Sequence, residues 1–154
     1  MGLTARFIQA METQSLRHRV LWPHLSSPDV CLIDIDYRDD AFHVGVFSDE
    51  TLISIGSFFR LPSPRLHHSS QYRLRAMATD PDFRRMHAGE QLIAFACEEL
   101  QNRGVHVLWC DARLAAVPFY ESIGFSKFDD VYEVPQPIPG RRKQILEVLQ
   151  DWLQ

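Results

Sequence analysis

Tyr72-Arg73-Leu74-Arg75-Ala76-Met77-Ala78-Thr79 alternates with the period of a strand, and Asp80-Pro81-Asp82 ends it. Phe83 to Glu90 then lead into Gln91 to Leu100, whose apolar residues recur at helical spacing. A strand that feeds a helix through a basic loop presents main-chain N–H groups to an anion, and the helix dipole adds to the attraction. The loop is therefore a candidate seat for the pyrophosphate of a nucleotide-like cofactor. Beyond the helix, Asn102-Arg103-Gly104 is a stop signal. Val105 to Cys110 is a nearly continuous apolar run, as expected of a central strand covered on both faces. Ala115 to Ile123 reads as a short helix with Pro118 in its first turn, ended by Gly124.

Upstream, Arg6 to Ala10 suits a short strand. Glu12 to Leu21 suits a helix stopped by Pro23, and Ser26-Ser27-Pro28 a loop. Cys31 to Asp36 reads as extended. Phe42 to Phe47 and Thr51 to Phe59 flank a turn at Asp49-Glu50, which favours antiparallel pairing. Leu61-Pro62-Ser63-Pro64 ends that meander, and Arg65 to Ser70 form a polar loop. Downstream, Phe125 to Phe128 and Val131 to Val134 suit two paired strands turning at Asp129-Asp130, followed by a rigid Pro135–Gly140 loop. From Arg142, apolar residues at Ile145, Leu146, Leu149, Trp152 and Leu153 have helical spacing, so residues 141–154 are expected to be a C-terminal helical extension. Its apolar edge would suit a homodimer contact or its own sheet. No repeat or linker splits the 154 residues, and one domain spanning 1–154 is expected.

Hydrophobic residues make up 45% and charged residues 23%, which places the chain among globular rather than disordered sequences. A net charge of −4 argues against nucleic acid as a partner, although Arg84-Arg85 and Arg141-Arg142-Lys143 are locally basic. Cys31, Cys97 and Cys110 each sit in an apolar run, so buried free thiols are expected. No apolar run is long enough to span a membrane and no basic-then-apolar leader opens the chain, so the expected location is the cytoplasm. His67 and His68 are adjacent and cannot face one way on a strand, and no other ligand spacing stands out, so no metal is expected.

Arg84-Arg85-Met86-His87-Ala88-Gly89 resembles the pyrophosphate loop of the GNAT superfamily of N-acetyltransferases, with His87 where that family usually has its first glycine. Leu108-Trp109-Cys110-Asp111-Ala112-Arg113, Ala116, Phe119-Tyr120 and Gly124-Phe125 form a second matching block, with Asp111 replacing the usual Asn. Leu16 to Pro23 is similar to the first helix of one small bacterial branch. The blocks follow the family order over most of the chain.

The resemblance implies a mixed, mostly antiparallel α/β sheet, splayed at its centre, with helices on both faces. It implies acetyl-CoA as acyl donor and a primary amine, on a small molecule or peptide, as direct attacker. Main-chain groups of Met77 and Thr79, or of Ala76 and Ala78, would follow the pantetheine arm, since period two turns one set to the ligand, and the same backbone could offer an N–H to the oxyanion. Arg84, Arg85, Met86, His87, Ala88, Gly89 and Glu90 would cradle the diphosphate. Tyr120 would be the general acid, since a phenol keeps its proton at neutral pH. Asp111 would cap the helix of Tyr120 or touch the pantetheine, capping being favoured by residue type. Arg75 is a candidate for a carboxylate on the acceptor, and His43 for acceptor binding. No general base stands out, with His43, Glu121 and Glu133 as candidates acting through water. Arg60 to Gln71 would line the acceptor pocket. The alternative is a catalytically degenerate module of the same fold that binds CoA or regulates a partner.

Overall fold

Short connections and alternating apolar residues build the first half of the molecule. The structure, a computed structural model, describes residues 2–66, 70–135 and 142–151. β1 (Leu3–Ile8), β2 (Phe42–Ser48) and β3 (Thr51–Phe59) pair antiparallel in sequence order. The β2–β3 turn is tight enough to put Asp49 at a φ of 53°, a conformation that Asp tolerates better than most residues. β4 (Gln71–Thr79) lies next to β3. The Ser54 hydroxyl donates to the Ala78 carbonyl, so the start of β3 lies beside the end of β4. β4 pairs parallel with β5 (Val107–Arg113) through Gln71, Tyr72 and Arg73 against Val107, Leu108 and Trp109.

The chain divides into two compact units, residues 1–60 with 74–104 and residues 61–73 with 105–154. In the first, the strand order is β1-β2-β3-β4, and α2 (Ala88–Asn102) packs on β1, β2 and β3. Its buried face is Leu92, Ile93, Ala96, Cys97 and Leu100. Closing that face removes each large side chain from water, worth about 1.5–3 kcal/mol apiece. Gly56 on β3 permits the close approach, since a Cβ there would lie 2.9 Å from a Leu92 methyl. Ile8, Leu16, Phe47, Ile55 and Ala78 form a core cluster in the same unit. In the second unit the order is β4-β5-β7-β6, with β6 at Ser126–Pro135 and β7 at Arg142–Asp151; the β5–β7 and β7–β6 pairs are antiparallel and the β4–β5 pair is parallel. α3 (Val117–Ser122) buries Val117 and Tyr120. The sheet is mixed and mostly antiparallel, as expected.

Four local expectations are corrected. The C-terminal helix predicted from Arg142 is instead β7, which pairs with all seven residues of β5 and also with β6. Two flanking strands supply ladder partners there, and that tertiary pairing overrides helical spacing. The predicted hairpin at Asp129-Asp130 is one strand, β6, with a register shift between Phe128 and Tyr132. Cys31 to Asp36 is turn-like, because the Asp36 carboxylate accepts from Ile33 N–H and the Asp36 N–H donates to the Ile33 carbonyl. The first helix is composite, passing from a 3-10 turn (Ala10–Thr13) through α1 (Gln14–Leu16) to a π segment (Arg17–Leu21) that ends before Pro23. Expectations for His67, His68, Trp152, Leu153 and residues 136–141 fall outside the described residues. Among the described residues no helix is long and apolar enough to cross a membrane.

Candidate active site

β4 does not run straight. Ala76, in its middle, has a φ of 53°, a left-handed conformation that costs a non-glycine residue about 1–3 kcal/mol. Backbone strain of this kind persists where surrounding structure enforces it, and it gathers at binding sites. Beyond Ala76, Ala78 is buried, and the Thr79 hydroxyl lies 2.9 Å from that of Ser54. Arg75 and Met77 are half-buried on the same strand.

Asp80 then turns the chain. Its N–H donates to the Ile53 carbonyl, and its carboxylate accepts from the Asp82 N–H and the Arg19 guanidinium. Arg19 also reaches Asp82 at 3.1 Å, tying the π segment to the start of the loop. Arg84, Arg85, Met86 and His87 are exposed, and Arg85 and His87 take left-handed conformations at φ 68° and 61°. His87 is the residue that precedes α2. The first helical bond runs from Gln91 N–H to the His87 carbonyl, so the amides of Ala88, Gly89 and Glu90 lie ahead of it. Alternating hand in a loop before a helix turns main-chain amides inward toward a common anion. No carboxylate stands between Arg84 and Gly89. These donors fit a diphosphate such as that of acetyl-CoA. The His87 ring sits 3.3 Å from the Glu90 carboxylate, at the exposed rim.

Tyr120 lies in the second unit, 8% exposed, with its ring edge-on to Phe119 and Phe125. Burial, followed by the charge of and a hydrogen bond to the Cys110 sulfur, raises its pKa well above the usual 10. The phenol therefore keeps its proton at any physiological pH. Asp111 does not cap the helix of Tyr120. β5 runs on to Arg113, which itself precedes the next turn, and Asp111 instead pairs with Arg73 at 2.9 Å.

His43 is buried, with both ring nitrogens occupied. Nε2 donates to the Asp36 carbonyl at 3.0 Å, which leaves Nδ1 to accept from the Ser57 hydroxyl at 2.7 Å. Ser57 in turn accepts from Arg17. His43 borders a cleft of about 440 Å³ in the first unit, which Phe7, Tyr37, Arg38 and Phe42 also line. This buried polar group of Arg17, Asp36, Ser57 and His43 was not foreseen. Its signal in the sequence is an arginine placed among Leu16, Val20 and Leu21 at helical spacing.

An acetyltransferase family model, that of the GNAT family, matches residues 7–125. The chain belongs to the GNAT family of acetyltransferases. It is 38% identical over 133 residues to the uncharacterized N-acetyltransferase YitI of Bacillus subtilis, covering 86% of this chain and 89% of that one. A shorter stretch, 54 residues at 43% identity, matches a ribosomal protein bS18-alanine N-acetyltransferase of Salmonella typhimurium, covering 33% of this chain and 36% of that one. The fold is similar to that of the ribosomal-protein-S18-alanine N-acetyltransferase from Escherichia coli, at a TM-score of 0.75 and 18% identity, covering 97% and 94% of the two chains.

Two of the three buried cysteines are poor nucleophiles. Burial pushes the Cys97 thiol up to about 12, and burial raises Cys31 despite the nearby Arg17 charge. Among the described residues no cluster of three or more His, Cys, Asp or Glu side chains could hold a metal ion.

Proposed function

We propose that this GNAT protein moves the acetyl group of acetyl-CoA to a primary amine of a small molecule or peptide by direct attack. The observation that carries the proposal is the loop before α2, where Arg85 and His87 adopt left-handed angles ahead of three helix-start amides. Those amides, with the guanidiniums of Arg84 and Arg85, hold the diphosphate. Acetyl-CoA supplies the thioester. Main-chain groups of Met77, Ala78 and Thr79 run along the pantetheine arm, the positive φ at Ala76 re-aiming the strand before them. Tyr120 holds the proton that the departing thiolate takes. Burial raises the thiol pKa of Cys97 and Cys31, which disfavours either as a nucleophile. Arg75 faces the acceptor's carboxylate, and His43 shapes the acceptor side through the residues it holds.

A peptide α-amine is the first acceptor to try, because a relative carries the name of an alanine N-acetyltransferase. Calorimetry with CoA, followed by an acetyl-CoA turnover screen against alanine-started peptides, amino acids and polyamines, tests the proposal. Binding with transfer to one amine class is the expected result. CoA binding with no transfer to any amine would favour the degenerate module, and no heat at millimolar CoA would remove the acetyl-CoA function and leave only a regulatory module that does not bind CoA.

A further inference from the structure

Ser54 on β3 is fully buried, and its main chain pairs with Val46 of β2. Its hydroxyl reaches β4 instead. The hydroxyl donates to the Ala78 carbonyl at 3.2 Å, which uses its proton, so it accepts from the Thr79 hydroxyl at 2.9 Å. Two residues past Ala78, the Asp80 N–H donates to the Ile53 carbonyl at 2.7 Å. Ala78 and Asp80 therefore both turn main-chain groups toward β3. In a strand the N–H and C=O of one residue point to the same side, and the next residue points them to the other. Met77 and Thr79 accordingly turn theirs away from β3. Plain alternation from the start of the strand does not give this phase. Ser70, just before β4, turns its carbonyl to the Val107 N–H of β5. Unbroken period two would turn Ala78 and Asp80 the same way as Ser70. The left-handed Ala76, at φ 53°, lies between and reverses the phase, as a bulge does. Alanine does not favour that conformation, so neighbouring contacts must hold it.

We propose that Ser54 is a positioning residue for acetyl-CoA, its hydroxyl locking β4 in the phase that turns Met77 and Thr79 to the pantetheine arm. The proposal rests on the acetyl-CoA function above and narrows its arm contacts to those two residues. Ser54, Ala78, Thr79 and the loop before α2 belong to one compact unit, and only Asp80 to Phe83 separate the strand from Arg84. An arm that leaves a diphosphate on that loop starts within a few residues of the strand. The arm carries amides, and amides recognise a strand by its N–H and C=O groups. The opposite phase would offer the groups of Ala78 in place of those of Met77 and Thr79. Serine suits the task, because its hydroxyl donates and accepts at once in a space that admits no longer side chain. A valine there would favour the strand as well but could not hold the bulge.

The test measures CoA affinity by calorimetry, and the affinity of ADP, which has the diphosphate and lacks the arm, by its competition with CoA. Thermal melts confirm that each variant is folded. Ser54→Ala should weaken CoA binding about fivefold, as expected of one hydrogen bond, and change ADP affinity by less than about twofold. Glycine takes a positive φ without strain. In an Ala76→Gly background the same Ser54→Ala change should therefore cost less than about twofold in CoA affinity. An equal loss for CoA and ADP, an equal loss in both backgrounds, or no loss in either would overturn the proposal. Should Ser54→Ala fail to fold, Ser54→Cys keeps the shape with a weaker donor and is held to the same outcomes. If wild-type protein binds no CoA, it is the acetyl-CoA function that falls.

Discussion

Arg17 and Asp36 form a two-pronged ion pair, with nitrogen–oxygen distances of 2.7 and 2.8 Å and neither side chain exposed to solvent. The guanidinium also reaches the Cys31 carbonyl and the Ser57 hydroxyl, so one residue of the π segment ties together the 31–36 turn and β3. Asp36 accepts a third bond from the Ile33 N–H. This is the interaction that orders a stretch with little regular structure of its own.

Removing one partner should therefore be costly. Arg17→Met leaves a buried carboxylate uncompensated, and a loss of about 3–5 kcal/mol of stability is expected. Replacing both, as in Arg17→Met with Asp36→Leu, should recover part of that loss, since no buried charge remains. Urea unfolding of the single and double variants gives the comparison. A double variant as unstable as the sum of both singles would contradict it.

Stability should fall in mild acid. Burial lowers the pKa of His43 below 6.5, the hydrogen bond to and charge of Asp36 raising it only part of the way, and the Arg17 charge lowering it further. The unfolded chain then takes up the proton first. The stability due to neutral His43 is complete above about pH 6.5 and is lost as pH falls through the lower folded value. Burial alone would raise Asp36, but bonds from Arg17 and Ile33 N–H, with the charges of Arg17 and His43, bring it below 3.8. Its contribution is complete above that pH and is lost only in stronger acid. Melting temperature against pH should show a first decline starting near pH 6.5 that His43→Gln removes, and a decline unaltered by the substitution would refute the assignment.

Turnover should depend on the phenol of Tyr120. Tyr120→Phe keeps the ring between Phe119 and Phe125 and deletes only the donor. CoA affinity should stay close to that of wild type, while kcat drops about a hundredfold. The raised phenol pKa predicts no loss of rate from tyrosine ionisation up to pH 10. Unchanged kcat in the variant would remove Tyr120 from the chemistry.

The left-handed His87 should be replaceable by glycine at no loss. His87→Gly relieves about 1 kcal/mol of backbone strain, so CoA affinity and stability should hold or rise. His87→Val, β-branched at a φ of 61°, should weaken CoA binding several-fold. Calorimetry on the two variants separates a backbone role from a role of the imidazole. Equal loss in both would mean that the ring itself contacts the ligand.

The loop and its flanking strand and helix were legible because their signals are local. Alternation over Tyr72–Thr79, the break at Asp80-Pro81-Asp82 and the apolar face of Gln91–Leu100 each act within a few residues. The hand of His87 is compatible with its residue type, histidine being among the non-glycine residues enriched at positive φ. The positive φ at Ala76 had no such signal, because alanine does not favour that conformation and only its neighbours enforce it. Asp111 misled for a related reason. A short polar residue after an apolar run reads as a cap, yet β7 extends the ladder past it and Arg73 claims its carboxylate.

Local sequence thus determined the loop before α2, the helix behind it and the helix that carries Tyr120, since period, capping and turn chemistry are properties of adjacent residues. Tertiary structure alone decided that Arg142–Asp151 form a strand, that Arg17 meets Asp36 across 19 positions, and that Arg73 meets Asp111 across 38. Ladder partners and buried charges take their energy from groups distant along the chain, and no pattern within either segment names them.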